Sequence, residues 1–233
     1  MDRGLYFQAA WTLAKNLTDT EDASEGGPTL ENAYDRSGWR GDSQFVPRHR
    51  FIGNVIWELP VGHGRRYLNR PGLVDRILGG WQLSALYVAQ TGDYFSPTFS
   101  GSDPSNTNTI GGRADRIGDG NLPKSQRTID RWFDASAFAV PPAGSGRFGN
   151  TGRGVLIGPG RHAANLGLFK SFRVLENSYV RVQATATNFV NHPVFGNPAT
   201  NISVPASVGT IRSIQTRDSG GPREVMLGVR YDF

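Results

Sequence analysis

The chain of 233 residues contains no cysteine, which excludes a disulfide framework and any metal site built on thiolates. It also contains no apolar run approaching the ~20 residues that a membrane-spanning helix needs. The net charge of +5 is scattered along the chain, whereas a nucleic-acid-binding surface needs clustered basic residues, so we expect no nucleic-acid partner. With 30 glycines and 14 prolines and no helical periodicity, the composition favours an all-β protein of strands joined by loops.

Motifs that carry chemistry are equally scarce. The four histidines have no metal-ligand spacing, and residues 144–149 match GxGxxG only within a Gly/Pro loop, where no helix follows to hold a phosphate. No motif suggests a nucleophile with a base and an orienting acid. We therefore expect no enzyme activity, no metal and no cofactor. The first residues also lack a secretory signal pattern, so we expect an exported protein of this kind to be longer than this chain.

Residues 223–233 show the clearest strand pattern in the chain. Side chains alternate between the faces of a strand, and here one face is apolar or aromatic while the other carries charge. The apolar positions are Val225, Leu227, Val229, Tyr231 and Phe233. Aromatic girdles mark the strand ends of membrane β-barrels, whereas a soluble sandwich offers no reason for a final exposed Phe. The pattern therefore favours a membrane strand.

Five further segments alternate in the same way. They cover residues 5–14, 50–59, 81–91, 165–172 and 179–189. Each is close to the ~9–11 residues with which a tilted strand crosses a bilayer, although Lys170 interrupts the apolar side of the fourth. We predict six antiparallel membrane-spanning strands.

Long and short connections alternate between these strands. The long ones are residues 15–49, 95–164 and 191–222, and the short ones are residues 60–80 and 174–177. Outer-membrane barrels have long extracellular loops and short periplasmic turns, so the alternation predicts that all long connections lie on the extracellular side. An amphipathic stretch at 73–78 predicts one or two helical turns in the first short connection.

Six strands are too few for a membrane barrel, since the smallest have about eight. An open sheet leaves two unpaired edges, and each unsatisfied backbone group in hydrocarbon costs several kcal/mol. We therefore expect residues 1–233 to form an incomplete barrel, an open curved sheet that earlier strands complete.

Five stretches also carry a family resemblance, in the family's own order. They are residues 48–62 (RHRFIGNVIWELPVG), 128–138 (TIDRWFDASAF), 148–153 (FGNTGR) leading to 158–160 (GPG), 168–172 (LFKSF) and 188–196 (NFVNHPVFG). On these residues the chain resembles the C-terminal barrel region of TonB-dependent outer-membrane receptors, of the acidobacterial type with a carboxypeptidase-regulatory-like domain. The stretches span nearly the whole chain, and each is modest alone.

The resemblance implies a plugged barrel of about 22 strands in the outer membrane, of which residues 1–233 supply the last six. It implies import of an oligosaccharide, peptide or chelate, with outer-membrane lipid around the barrel. The last strand, with Val225, Leu227, Val229, Tyr231 and Phe233, would be the signal that the barrel assembly machinery recognises. The plug domain and the earlier strands are missing from the chain, so contact with the TonB energy-transducing complex would run only through that missing plug.

Candidate ligand contacts lie in the predicted extracellular loops. They are Trp39, Arg40, Trp132 and Phe133. Aromatic rings and a guanidinium suit a sugar or peptide, but they equally suit pinning of the loops over the barrel. Acidic residues of the first loop suit either solubility or a surface patch for cations or ligand; they are Asp19, Glu21, Asp22, Glu25, Glu31 and Asp35.

The second hypothesis is a soluble all-β carbohydrate-binding module of the lectin-like type, with ligand contacts in residues 96–163. Such a sandwich would bury its strand faces between two sheets. A barrel wall would instead expose one continuous apolar face, which would hold Phe7, Trp11, Trp57, Trp81, Tyr87 and Phe233. The environment of these six side chains therefore separates the two hypotheses.

Overall fold

The fold is known from a computed structural model, which describes residues 4–19, 31–32 and 34–233 except the side chain of residue 219. Six long strands, labelled β1 to β6, dominate it. They are Leu5–Leu13, His49–Glu58, Trp81–Gln90, Arg161–Leu175, Ser178–Thr187 and Glu224–Asp232. The six predicted strands are confirmed, with the largest difference in β4, which begins at residue 161 rather than 165 and ends at 175 rather than 172.

The six strands form one antiparallel meander in the order β1-β2-β3-β4-β5-β6. Each strand pairs with its neighbour in sequence, because short turns and returning loops bring consecutive strands side by side. Strands β1 and β6 are the two edges, and neither has a second partner strand among the described residues. The predicted antiparallel, open sheet is therefore confirmed.

The register of the sheet brings the apolar positions of all six strands to one side, which we term the apolar face. Phe51 lies opposite Trp11 on β1 and Ala89 on β3. At the other end of the sheet, Ala186 lies opposite Leu166 on β4 and Val225 on β6. Since a slip of one residue would turn a whole strand over, this consistent alignment means that one side of the sheet was selected to be apolar.

No second sheet covers the apolar face within the described part of the chain. Phe7 is 72% exposed and Trp11 64% exposed, and Trp57, Tyr87 and Phe233 are also exposed. Trp81 differs, since it is half-buried. A water-soluble sandwich would bury such rings against a partner sheet. The exposed aromatics are those expected of a barrel wall.

Short helices and two-residue strands occur within the connections. The α-helix α1 (Leu73–Leu78) confirms the predicted helical turns, and 3₁₀ helices cover Ser37–Trp39, Lys124–Gln126, Ala135–Ala137 and Arg217–Ser219. Two-residue strands pair as Leu17–Thr18 with Gly41–Asp42, Tyr94–Phe95 with Leu156–Ile157, Thr98–Phe99 with Gly112–Arg113, and Asp115–Arg116 with Phe138–Ala139. Across the residues that the structure covers, no helix has the length and apolarity to cross a membrane.

The hydrophobic core lies outside the sheet, in the long connections. Residues 34–48, 91–160 and 188–223 fold together at one end of the sheet, and we term this assembly the loop layer. Its central cluster consists of Phe95, Ala114, Phe133, Ala137, Phe138 and Leu156. Of the buried hydrophobic side chains described, only Val88 and Ala163 belong to long strands. The loop layer is therefore a packed unit rather than a set of separate loops.

Candidate functional site

Aromatic packing holds the centre of the loop layer. Phe133 meets Phe95 and Phe138 edge-to-face, with ring centroids 5.7 and 6.0 Å apart. Edge-to-face pairs contribute about 0.5–1.5 kcal/mol beyond the area they bury. Phe95 lies far from Phe133 and Phe138 in the sequence, so the contact joins two distant parts of the longest connection.

Arg113 contacts three separate segments of the long connections. Its Nη1 atom donates to the carbonyl oxygens of Thr151, at 2.8 Å, and of Gly38, and its Nη2 atom lies 3.5 Å from a carboxylate oxygen of Glu31. The guanidinium also lies 4.7 Å from the ring centroid of Trp39. A planar group with five donors suits such multiple contacts better than a lysine would. Arg113 thereby joins the first and second long connections.

Asp115 holds a second pair of segments of the loop layer together. Arg147 donates two hydrogen bonds to its carboxylate, at 2.8 and 2.6 Å, and the backbone N–H of Asn150 donates a third at 3.0 Å. These bonds, led by the one from the Arg147 side chain, hold the pKa of Asp115 below its ordinary value, although burial opposes the shift. The carboxylate is therefore ionised at neutral pH and fixes residues 147–150 against the short strand Asp115–Arg116.

A cavity of about 490 Å³ opens among the segments that Arg113 joins, which is the size of a small-molecule site. Its aromatic lining comes from Trp39, Tyr94, Phe95 and Phe99, and its charged lining from Glu31, Asp42, Arg113 and Arg153. The buried polar atoms of lining residues that lack a hydrogen-bond partner in the described structure include Trp39 Nε1, Arg113 Nε and Asn197 Oδ1. Because aromatic rings and charged side chains both line it, this cavity suits an occupant that has apolar and polar groups.

A wider groove, of about 950 Å³, lies where the loop layer meets the apolar face. Its strand residues include Trp11, Phe51 and Tyr87, and its loop residues include Lys124, Arg127 and Trp132. The Trp132 indole N–H donates to the carbonyl oxygen of Ile157 at 2.9 Å, and the Arg127 guanidinium lies 5.6 Å from its ring centroid. Aromatic and basic side chains therefore line this groove, where the strands enter the loop layer.

The four predicted ligand contacts occupy different environments. Trp39 is 3% exposed and lines the cavity, and Trp132 lines the groove. Phe133 is 2% exposed within the aromatic cluster, and Arg40 is exposed at the surface. Burial of Trp39 and Phe133 is the arrangement expected of residues that pin the loops. Contact of any of the four with a ligand stays a prediction.

Sequence reasoning missed the most prominent cavity residues, which are Tyr94, Arg113, Arg153 and Asn197. Arg113 lies in a Gly/Asp/Arg-rich stretch with no motif, so its role follows only from its tertiary contacts. Only Arg153 could have been found from the sequence, because it ends the stretch 148–153 on which the family resemblance rests.

The acidic residues of the first loop do not gather into one patch where they are described. Glu31 meets Arg113, and Asp19 forms an ion pair of 2.9 Å with Arg36. Glu21, Asp22 and Glu25 lie outside the described residues. In the part of the chain with described coordinates, no three histidine, cysteine, aspartate or glutamate side chains come close enough to hold a metal ion.

The predicted assembly signal lies along the free edge of the sheet. Val225, Leu227 and Val229 are 66–78% exposed on the apolar face of β6, and Tyr231 and Phe233 stack with ring centroids 5.9 Å apart. Recognition of these side chains by an assembly machinery stays a prediction.

A comparison with protein families supplies the assignment. A family model described as "Outer membrane beta barrel domain" matches residues 1–225. The chain belongs to this family. The exposed apolar face is thus the lipid-facing side of an outer-membrane β-barrel wall, and the opposite face is its interior side. No curated protein and no solved structure matches the chain significantly.

Proposed function

We propose that this outer-membrane β-barrel chain is the C-terminal wall of a TonB-dependent transporter, and that its loop layer captures the imported ligand. The observation that carries the proposal is the cavity of about 490 Å³ at the strand ends, lined by four aromatic rings and by Arg113 and Arg153. Long extracellular loops that fold into a packed layer with such a cavity suit a receptor that selects a ligand before import.

The chemistry of the lining narrows the ligand to a polar molecule with apolar surfaces. Half-buried Tyr94 offers a ring face for sugar rings or peptide side chains, and Arg113 and Arg153 bring guanidinium groups to the lining. Two arginines and two acids balance in charge, so the cavity does not favour a strongly charged ion. An oligosaccharide or short peptide suits it better than a highly charged chelate.

Asn197 provides the sharpest test of ligand capture. Its Oδ1 atom lacks a partner within the described structure, so the Asn197→Ala variant should fold normally. We expect glycan and peptide arrays to detect a ligand for the detergent-solubilised chain, and Asn197→Ala to weaken its binding about fivefold or more. Asn121→Ala, an exposed site in the same layer, is the control. Equal binding by all three proteins would contradict capture in this cavity.

The remaining strands and the plug are part of the same proposal. A six-stranded open sheet leaves two edges that lipid cannot satisfy, which supports completion by further strands. The TonB complex would then act through the plug, the barrel assembly machinery would recognise β6, and no enzymatic step is required. Sequencing of the transcript upstream of Met1 tests this, because an in-frame plug domain is expected. A stop codon directly upstream of Met1, together with the absence of a neighbouring gene that encodes further barrel strands, would contradict the proposed transporter.

A lectin-like soluble module is not supported. The aromatic side chains on the apolar face are exposed, and the packed core lies in the loop layer. Carbohydrate binding itself remains compatible with the loop-layer cavity, as a property of the transporter.

A further inference from the structure

Lys170 is a charged residue on the lipid-facing side of the sheet. It lies opposite Trp81 on β3 and Val182 on β5, yet it is only 5% exposed. A charged lysine is rarely so buried unless partners surround it. Here the partners are the last carbonyl groups of helix α1 and of the residue that follows it.

The Lys170 ammonium fastens α1 to the outside of the sheet. Its Nζ atom donates to the carbonyl oxygens of Arg76, Ile77 and Gly79. Carbonyl groups at the C-terminal end of a helix have no partner within the helix and can therefore accept these hydrogen bonds. The Trp81 indole N–H donates to the Ile77 carbonyl at 2.9 Å. The helix is therefore held on the lipid-facing side, at the end of the sheet where the short connections lie.

The helix turns four aliphatic side chains away from the protein. Leu73, Val74, Ile77 and Leu78 are 75%, 58%, 63% and 49% exposed. At 100° per residue these positions share one side of the helix. Asp75 lies on the other side, where its carboxylate accepts a hydrogen bond of 2.6 Å from the backbone N–H of His63. The polar side of α1 is thus committed to the protein, and its apolar side is uncovered.

The connection that carries this uncovered side is rich in positive charge. The connection 59–80 contains four arginines, Arg65, Arg66, Arg70 and Arg76, against a single acid, Asp75. Arg65 is paired with Glu58 at 2.8 Å, which leaves three exposed arginines without an ion pair described. Tyr67 and Trp81 add amphipathic rings of the kind found at membrane interfaces.

We propose that residues 59–80 form an interfacial foot that binds anionic phospholipid headgroups of the membrane leaflet on the short-connection side. The aliphatic side of α1 enters the boundary between headgroups and acyl chains, and Arg66, Arg70 and Arg76 contact the phosphates. Lipid is the occupant because α1 continues the lipid-facing side of the sheet and because its charge complements an anionic surface. The inference rests on the proposed membrane wall.

The test uses single-cysteine labels, which the cysteine-free chain permits. Ile77→Cys carries an environment-sensitive fluorophore in the full chain, refolded into phosphatidylcholine vesicles with or without phosphatidylglycerol and with brominated lipids as quenchers. We expect quenching roughly threefold or more above that of a label at Ala143, in the loop layer, and stronger quenching with phosphatidylglycerol. A label at Leu227 reports insertion of the sheet itself.

Charge reversal supplies the matched control. Arg66→Glu/Arg70→Glu/Arg76→Glu should abolish the phosphatidylglycerol effect, whereas Arg131→Glu/Arg212→Glu/Arg223→Glu, equal in charge but in the loop layer, should preserve it. A water-exposed label at 77 with a quenched label at 227 would overturn the foot alone. Unquenched labels at both positions would overturn the membrane wall. Quenching at 77 that ignores both phosphatidylglycerol and the arginines would overturn the headgroup contact.

Discussion

At the scale of single residues, Asp115 shows how one carboxylate organises the loop layer. Its side chain is 9% exposed, whereas that of its partner Arg147 is 46% exposed, so water screens the pair only in part. Asp115→Asn removes the charge that accepts three hydrogen bonds. We expect a loss of about 1–3 kcal/mol in the free energy of unfolding, measured from the urea midpoint of tryptophan fluorescence in micelles.

Asp119→Asn is the matched control for that prediction. Asp119 also binds an arginine, Arg116, at 2.7 Å, but its side chain is 72% exposed. Its loss should change the free energy of unfolding by less than about 0.5 kcal/mol. Equal midpoints for the two variants would show that burial of the Asp115 carboxylate does not stabilise the loop layer.

The pH dependence of the same group has a definite sign. The pKa of Asp115 is lowered in the folded protein, chiefly by the Arg147 hydrogen bond. The contribution of Asp115 to the free energy of unfolding is therefore complete above the pKa of the unfolded state, about 3.9. It disappears as the pH falls through the lower pKa of the folded state. We expect the urea midpoint of the native chain to fall more steeply below pH 4 than that of Asp115→Asn. Parallel pH profiles would contradict this.

At the scale of the secondary-structure element, β6 offers two neighbouring positions on opposite faces. Leu227 faces Ala184 on the apolar face, and Met226 faces Thr185 on the interior side. Both are well exposed, at 78% and 66%. Leu227→Arg should destabilise insertion into vesicles by about 2–4 kcal/mol, since arginine is costly on the lipid face near the bilayer midplane.

Met226→Arg provides the comparison on the same strand. It adds the same side chain one residue away, toward the interior, and should leave the urea midpoint of the vesicle-inserted chain nearly unchanged. Equal effects of the two substitutions would argue that the apolar face does not contact lipid.

Strand β4 shows where periodicity fails as a predictor. Residues 161–164 are polar or small and carry no clear alternation, yet all four pair with β3, from Arg161 opposite Gln90 to Ala164 opposite Tyr87. Lys170 interrupts the apolar side because its ammonium binds the end of α1. Both departures depend on contacts with distant parts of the chain, which no local pattern encodes.

At the scale of the whole molecule, the apolar face and the two free edges govern solubility. Large exposed apolar surfaces and unpaired strand edges both promote association in water. We expect the isolated chain to aggregate without detergent and to become monodisperse in micelles, as measured by analytical ultracentrifugation. A monomeric sedimentation profile in detergent-free buffer would contradict the barrel-wall architecture.

The alternation of side chains determined, without any structure, the six strands, their apolar sides and the long and short connections between them. These features are local, since period-two alternation and turn residues act within about ten residues. Tertiary structure alone decided that the core lies in the loop layer, that Arg113 and Arg153 line a cavity, and that Lys170 holds α1 against the sheet. Those contacts join residues far apart in the chain, and their partners are chosen by folding rather than by spacing.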